Sequence, residues 1–134
     1  MPVDGLITIQ SSHGPEQTIA KFESALTTKG MTVFAKVDHA AGAAGVGMEL
    51  RPTFLIMFGN PKGGTPLMQA AQTSGIDLPL KALVWQDASG ATWLSYNDPV
   101  WIATRHGLHP GAEAAVKAMS GALQAFAAMA TASA

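Results

Sequence analysis

The chain has 134 residues and no cysteine, eight basic and nine acidic side chains, and a formal net charge of -1. Disulfides, thiol nucleophiles, iron–sulfur clusters and cysteine zinc sites are therefore excluded, and no basic footprint for nucleic acid or an anionic membrane exists. Area scaling for 13.8 kDa gives roughly 20,000 Å² exposed in the unfolded chain and about 6,600 Å² when folded, enough burial for one core without staples.

Two further numbers are unusual. Charged residues make up 13 %, against about 25 % in a typical soluble domain, and mean hydropathy is positive at +0.21. The 24 alanines inflate the apolar count, yet the expected reading is that a second copy covers apolar surface. Met1 to Gly5 lacks the basic region of a signal peptide, and Leu6-Ile7-Thr8-Ile9 is too short for its apolar region. Ala118 to Ala134 is uncharged but alanine-rich and interrupted by Ser120, Gln124, Thr131 and Ser133. It falls short of the about 20 strongly apolar residues of a spanning helix. The expectation is one domain over residues 1–134, located in the cytoplasm, with neither membrane nor nucleic acid as a partner.

Leu6–Ser11 opens the chain as an alternating, half-buried strand. Pro15–Lys29 follows as a helix with Ile19, Phe22 and Leu26 on one face and Gly30 after it. Met31–Asp38 alternates again. His39–Gly47 is small and glycine-rich, a loop or short helix. Thr53–Phe58 is apolar throughout after Thr53, the signature of a central strand. A short helix is predicted over Pro66–Ser74, with Thr65 as N-cap and Gly75 as stop. Leu80–Asp87 and Ala91–Asn97 form a hairpin around Ala88-Ser89-Gly90. Asp98 caps a helix over Pro99–His106 that ends at Gly107, and a long helix runs from near Pro110 to about Met129. Its stripe Val116, Met119, Leu123, Phe126, Ala130 reads as core packing rather than a dimer seam.

A hairpin forces antiparallel pairing, and the helices cannot cover both faces evenly. The fold class is therefore α+β: a two-layer sandwich, an antiparallel sheet of about five strands with helices on one face. The other face carries Phe34, Leu83, Trp85 or Trp93, which is the second reason to expect a homodimer.

The richest stretch for chemistry is Phe58-Gly59-Asn60-Pro61-Lys62-Gly63-Gly64-Thr65-Pro66. Read as a loop between strand and helix, it offers free N–H groups at Gly63 and Gly64, a hydroxyl at Thr65 and a cation at Lys62, together an anion cradle. It is not a Walker A loop, since the lysine precedes the glycines. The competing reading is a tight strand–helix turn. Asp38, His39, Tyr96, Arg105 and His106 are candidate walls of the same site; Arg105 and His106 also suit the last turn of a helix, where cations complement the dipole. His106 and His109 are separated by Gly107 and do not form a helical pair. No His-Glu-x-x-His pattern and no acidic cluster exists, so no metal and no cofactor is expected. No Gly-x-Ser-x-Gly elbow is present either.

Asp38-His39-Ala40-Ala41-Gly42-Ala43, Glu49-Leu50-Arg51-Pro52-Thr53, the run Phe58 to Met68, and Tyr96-Asn97-Asp98-Pro99 with Arg105-His106 together resemble the bacterial domain-of-unknown-function family 302. The resemblance spans about residues 4 to 130. It implies an α+β domain built as strand, helix, four strands and helix, often seen as a dimer, and it implies no activity.

Three functions follow from the residues. The first is a cytoplasmic homodimeric binding module for a small anionic or polar ligand, held at Asn60, Lys62, Gly63, Gly64 and Thr65. The second is a small enzyme using His39 or His106 as general base near Lys62. The third is a structural interaction domain without a ligand.

Overall fold

In the computed structural model, which describes residues 2–107 and 110–133, five strands form one antiparallel sheet in the order β1-β5-β4-β3-β2. The strands are β1 (Leu6–Gln10), β2 (Thr32–Asp38), β3 (Thr53–Gly59), β4 (Leu80–Gln86) and β5 (Thr92–Asn97). The helices are α1 (Pro15–Thr28), α2 (His39–Gly45), α3 (Pro61–Ala70), α4 (Pro99–His106) and α5 (Glu113–Thr131), with 3-10 turns at Gln72–Asp77 and Pro110–Ala112. β1 and β2 occupy opposite edges, so α1 must cross the whole sheet to join them.

Strand pleating decides which residues α1 and α5 cover. Ile56, Phe58, Ala82, Val84, Leu94 and Tyr96 point to the helix side and are buried with Phe22, Leu26, Leu123 and Phe126. Phe22, Phe58 and Phe126 meet edge to face, with ring centroids 5.4 to 6.5 Å apart. Such pairs contribute about 0.5–1.5 kcal/mol each beyond their area. The long-helix stripe Val116, Met119, Leu123, Phe126, Ala130 is buried, as core packing requires.

The other face carries Leu55, Met57, Leu83, Trp85 and Trp93, all half-buried. Trp85 and Trp93 are register partners and stack at 6.2 Å. Trp85 Nε1–H donates to Ser95 Oγ at 2.9 Å, and Trp93 Nε1–H donates to Asp87 Oδ2 at 2.8 Å. Asp87 also accepts from the Ser89 hydroxyl and from the Ser89 and Ala91 amides, closing the hairpin in which Gly90 takes φ 90°. The Trp93 indole first, then the Ser89 hydroxyl, hold the Asp87 carboxyl down to about 2.

Of the two readings open for the glycine-rich segment after β2, the short helix is the one formed: His39–Gly45 is a helix, started by Asp38, whose Oδ1 accepts from the Ala41 amide at 2.9 Å. The helix expected over Pro66–Ser74 instead runs from Pro61 to Ala70, with Pro66 inside it, and Gln72–Asp77 follows as a 3-10 turn. The cause is the pair Asn60-Pro61. Asn60 is itself an N-cap, its Oδ1 accepting from the Lys62 amide at 3.0 Å, and Pro61 is the first helical residue. The same cap signal thus lies five residues before the one read at Thr65-Pro66. The long helix likewise begins at Glu113, after the turn at Pro110.

Candidate functional site

α3 and α5 diverge over the end of the sheet where β2 begins and β3 ends. Between them lies an open cavity of about 530 Å³, within the range of small-molecule sites. Its walls are mostly apolar: Met31 and Phe34 from the β2 side, Met68 from α3, Leu78 and Leu80 from the approach to β4, and Met119 with small alanines from α5. Phe34 stands there because β2 carries a bulge. The register with β3 shifts between Val33 and Ala35, leaving Phe34 as the extra residue. Its ring lies 3.5 Å from where a Cβ on Gly59 would sit. Side chains on both glycines of α3 are absent, so the wall there is backbone: Gly63 and Gly64 both border the cavity.

Of the ten residues singled out from the sequence, Asn60, Lys62, Gly63, Gly64 and Thr65 line this cavity. The other five are elsewhere. Asp38 and His39 sit at the far end of β2, and a seven-residue strand spans about 20 Å. Asp38 is engaged as the α2 cap. Tyr96 is buried within the core on β5; burial, and secondarily the negative charge of Asp98, push its phenol up. Arg105 and His106 end α4 and are bound to Asp77. His109, weighed as a metal partner of His106, lies outside the described residues. Among the described residues no group of three His, Asp or Glu is placed to hold a metal ion.

The cradle of amides needs correction. Because residues 61–64 are helical, their N–H groups are already used. Lys62 N–H donates to the Asn60 side chain, Gly63 and Gly64 N–H both donate to the Asn60 carbonyl at 2.8 and 3.1 Å, and Pro61 has none. What remains at the rim for a polar group is Lys62, the Thr65 side chain and the Asn60 side-chain NH2, all on exposed residues.

One arrangement was not legible from spacing. Asp77 Oδ2 lies 2.6 Å from His106 Nε2, and His106 Nδ1 lies 3.0 Å from Thr73 Oγ1. A carboxylate only accepts, so Nε2–H donates to Asp77, and in the neutral ring Nδ1 accepts the Thr73 hydroxyl proton. Arg105 clamps both Asp77 oxygens at 2.9 Å and lies over the Trp101 ring at 5.8 Å. The three residues come from a turn and a helix end that no local pattern connects.

An open-faced antiparallel sheet with a cavity at one end of its helix layer is thus the class of protein defined. The chain belongs to the family described as "Domain of unknown function DUF302", which matches residues 7–126. Its fold is similar to that of the uncharacterized conserved protein DUF302 from Bacillus stearothermophilus, a solved crystal structure, with TM-score 0.84 and 19 % identity over 96 % of this chain and 99 % of that one. It is also 50 % identical over 115 residues to proteins named fluoride-specific ion channel FluC 1 of Brucella suis biovar 1 (strain 1330) and of Brucella abortus biovar 1 (strain 9-941). The match takes in 86 % of this chain but only 45 % and 43 % of those proteins, so the chain spans under half their length. No helix among the described residues is long and apolar enough to cross a membrane.

Proposed function

We propose that the chain is a homodimeric binding module for a small ligand with a polar or anionic group, held in the cavity between α3 and α5. The observation that carries this reading is the convergence of Asn60, Lys62, Gly63, Gly64 and Thr65 on one cavity of about 530 Å³. The correction to the amides moves the emphasis: the ligand's contact area is apolar, and its polar group meets Lys62. More than half of each channel protein lies outside the match, and the channel name is not carried over.

The homodimer is supported by area. The exposed surface is 7611 Å², roughly 1,000 Å² more than scaling gives for a monomer of this mass. A standard interface takes about 800 Å² from each partner. The bare sheet face with its stacked tryptophans is the surface that a second copy would cover.

A thermal-shift screen of phosphates, nucleotides, organic acids and apolar acids tests the binding reading. A ligand at a hundred times its Kd stabilises by about 2.7 kcal/mol, a shift of several degrees for a domain of this size. No shift with any compound at millimolar concentration overturns it. Light scattering at micromolar concentration tests the dimer, and a mass of 13.8 kDa rather than twice that overturns it.

A second reading, an enzyme with His106 as general base, is favoured by the Thr73–His106–Asp77 chain, which has the order of nucleophile, base and orienter. Lys62 plays no part in it, since His106 is not among the described residues lining the cavity. Hydrolysis of p-nitrophenyl acetate at a rate that falls to the buffer level in Thr73→Ala supports it. Equal rates for wild type and Thr73→Ala remove it.

A further inference from the structure

We infer that the ligand is an amphipathic monocarboxylate, an aliphatic or aromatic acid whose apolar body fills the cavity and whose single negative charge rests at the rim on Lys62. This deepens the binding reading and rests on it.

Charge complementarity selects the head group. Lys62 is the one charged side chain among the described residues lining the cavity, and no carboxylate lines it. Lys62 takes part in none of the three ion pairs among the described residues. A phosphate or other dianionic head is matched best by arginine forks or several free amides, to which a lysine adds one point charge. Here no arginine is among those lining residues, and the amides at the start of α3 are bonded to Asn60. One ammonium suits one carboxylate.

The walls select the body. Phe34 is 55 % exposed although it borders an apolar cavity. The bulge brings it there, and its ring lies beside Gly59. An exposed aromatic face beside an apolar cavity is a surface for a hydrocarbon chain or ring. Met31, Met68 and Met119 supply three flexible, polarizable walls, which adapt to differing shapes. A set of acids of similar length is therefore accepted, rather than one compound.

The experiment is calorimetric titration of the full chain with decanoate, decanol and decyltrimethylammonium, each below its critical micelle concentration. Decanoate is expected to bind at least tenfold more tightly than decanol, and the cation more weakly still. Lys62→Ala is expected to bring decanoate down to the affinity of decanol, and Phe34→Ala to weaken both. Equal affinity for decanoate and decanol in the wild type overturns the carboxylate, as does unchanged decanoate affinity in Lys62→Ala. Binding of other compounds in the thermal screen with none of these three overturns the ligand class and leaves the cavity reading standing. Ala118→Leu and Gly64→Leu narrow the cavity from its two walls; circular dichroism identifies a variant that fails to fold, and the other then stands in. Decanoate affinity unchanged in the folded variant places the acid elsewhere and overturns the cavity reading itself.

Discussion

The two faces of the sheet are made of the same strands and have opposite fates. On the helix side Ile56, Phe58, Val84 and Leu94 are fully buried against α1 and α5. One residue along each strand, Leu55, Met57, Leu83 and Trp93 are only half-buried, and they are no less apolar. An antiparallel sheet that faces water normally alternates apolar and polar residues. Here the outer face carries an apolar cluster of Leu55, Met57, Leu83, Trp85 and Trp93, with polar residues around it at Thr8, Gln10, Thr53, Lys81, Ser95 and Asn97. Its tryptophans are also fixed, each indole N–H being tied to Ser95 or Asp87. Pleating places a residue on a face, but it does not explain an apolar cluster only half-buried there; the second copy proposed above would cover it.

The largest effect expected from breaking this contrast is on the covered side. Phe58→Ala removes the ring that touches both Phe22 and Phe126 and should cost about 3–5 kcal/mol in denaturant unfolding. Trp85→Ala, a larger truncation on the bare face, should cost less than that when measured at a concentration low enough to keep the chain monomeric. Equal losses would mean that the outer face is as well packed within one chain as the inner one.

Leu83→Glu tests what covers the bare face. A charge buried at an interface without a partner is strongly unfavourable. If the proposed dimer forms through this face, the wild type should run at twice 13.8 kDa by light scattering and the variant at 13.8 kDa. Its unfolding midpoint should also lose its dependence on protein concentration. A Leu83→Glu protein that stays dimeric moves the interface to another surface.

The fold was legible wherever a helix had one cap signal and a strand one pattern. Pro99 and Gly107 bracket α4 on both sides, and the observed helix ends at His106. Leu80 to Asn97 reads as a hairpin because Gly90 takes the positive φ that its turn requires. Around α3 two cap signals compete, Asn60-Pro61 and Thr65-Pro66, with two glycines between them. Local propensity favours the later start, because glycine and an internal proline both disfavour helix. The structure takes the earlier one, and the amides read as ligand donors become helix bonds. The cavity residues could be named because they are contiguous. The Thr73–His106–Asp77 chain could not, because its hydrogen bonds join residues 29 and 33 apart in sequence.

The helical start also sets the sign of a glycine substitution. Gly63 has no positive φ, and a Cβ built on it meets nothing within 4 Å. Gly63→Ala should therefore stabilise the chain by about 0.5–1 kcal/mol through the unfolded state and the helix. A loss of stability would return residues 60–65 to the loop reading.

The smallest effect concerns the anchor of the bare face, and its sign follows from the Asp87 carboxyl. Its folded value, about 2, lies below the ordinary 3.8. A group depressed on folding adds stability above its unfolded value and loses it as pH falls through the folded one. The contribution of Asp87 is thus complete above about pH 4 and fades between pH 4 and 2. Asp87 is half-buried at the hairpin surface, where solvent screening keeps the effect small. In Asp87→Asn the side chain stays uncharged through that window, so its unfolding midpoint should change less between pH 4 and 2 than that of the wild type. Tryptophan emission gives a second readout, because Trp93 donates to the titrating carboxylate itself. The wild-type emission should shift over the same interval and the variant's should not. An identical pH dependence in both proteins would mean that the Trp93–Asp87 bond does not hold the indole, and that stacking on Trp85 alone orients the outer face.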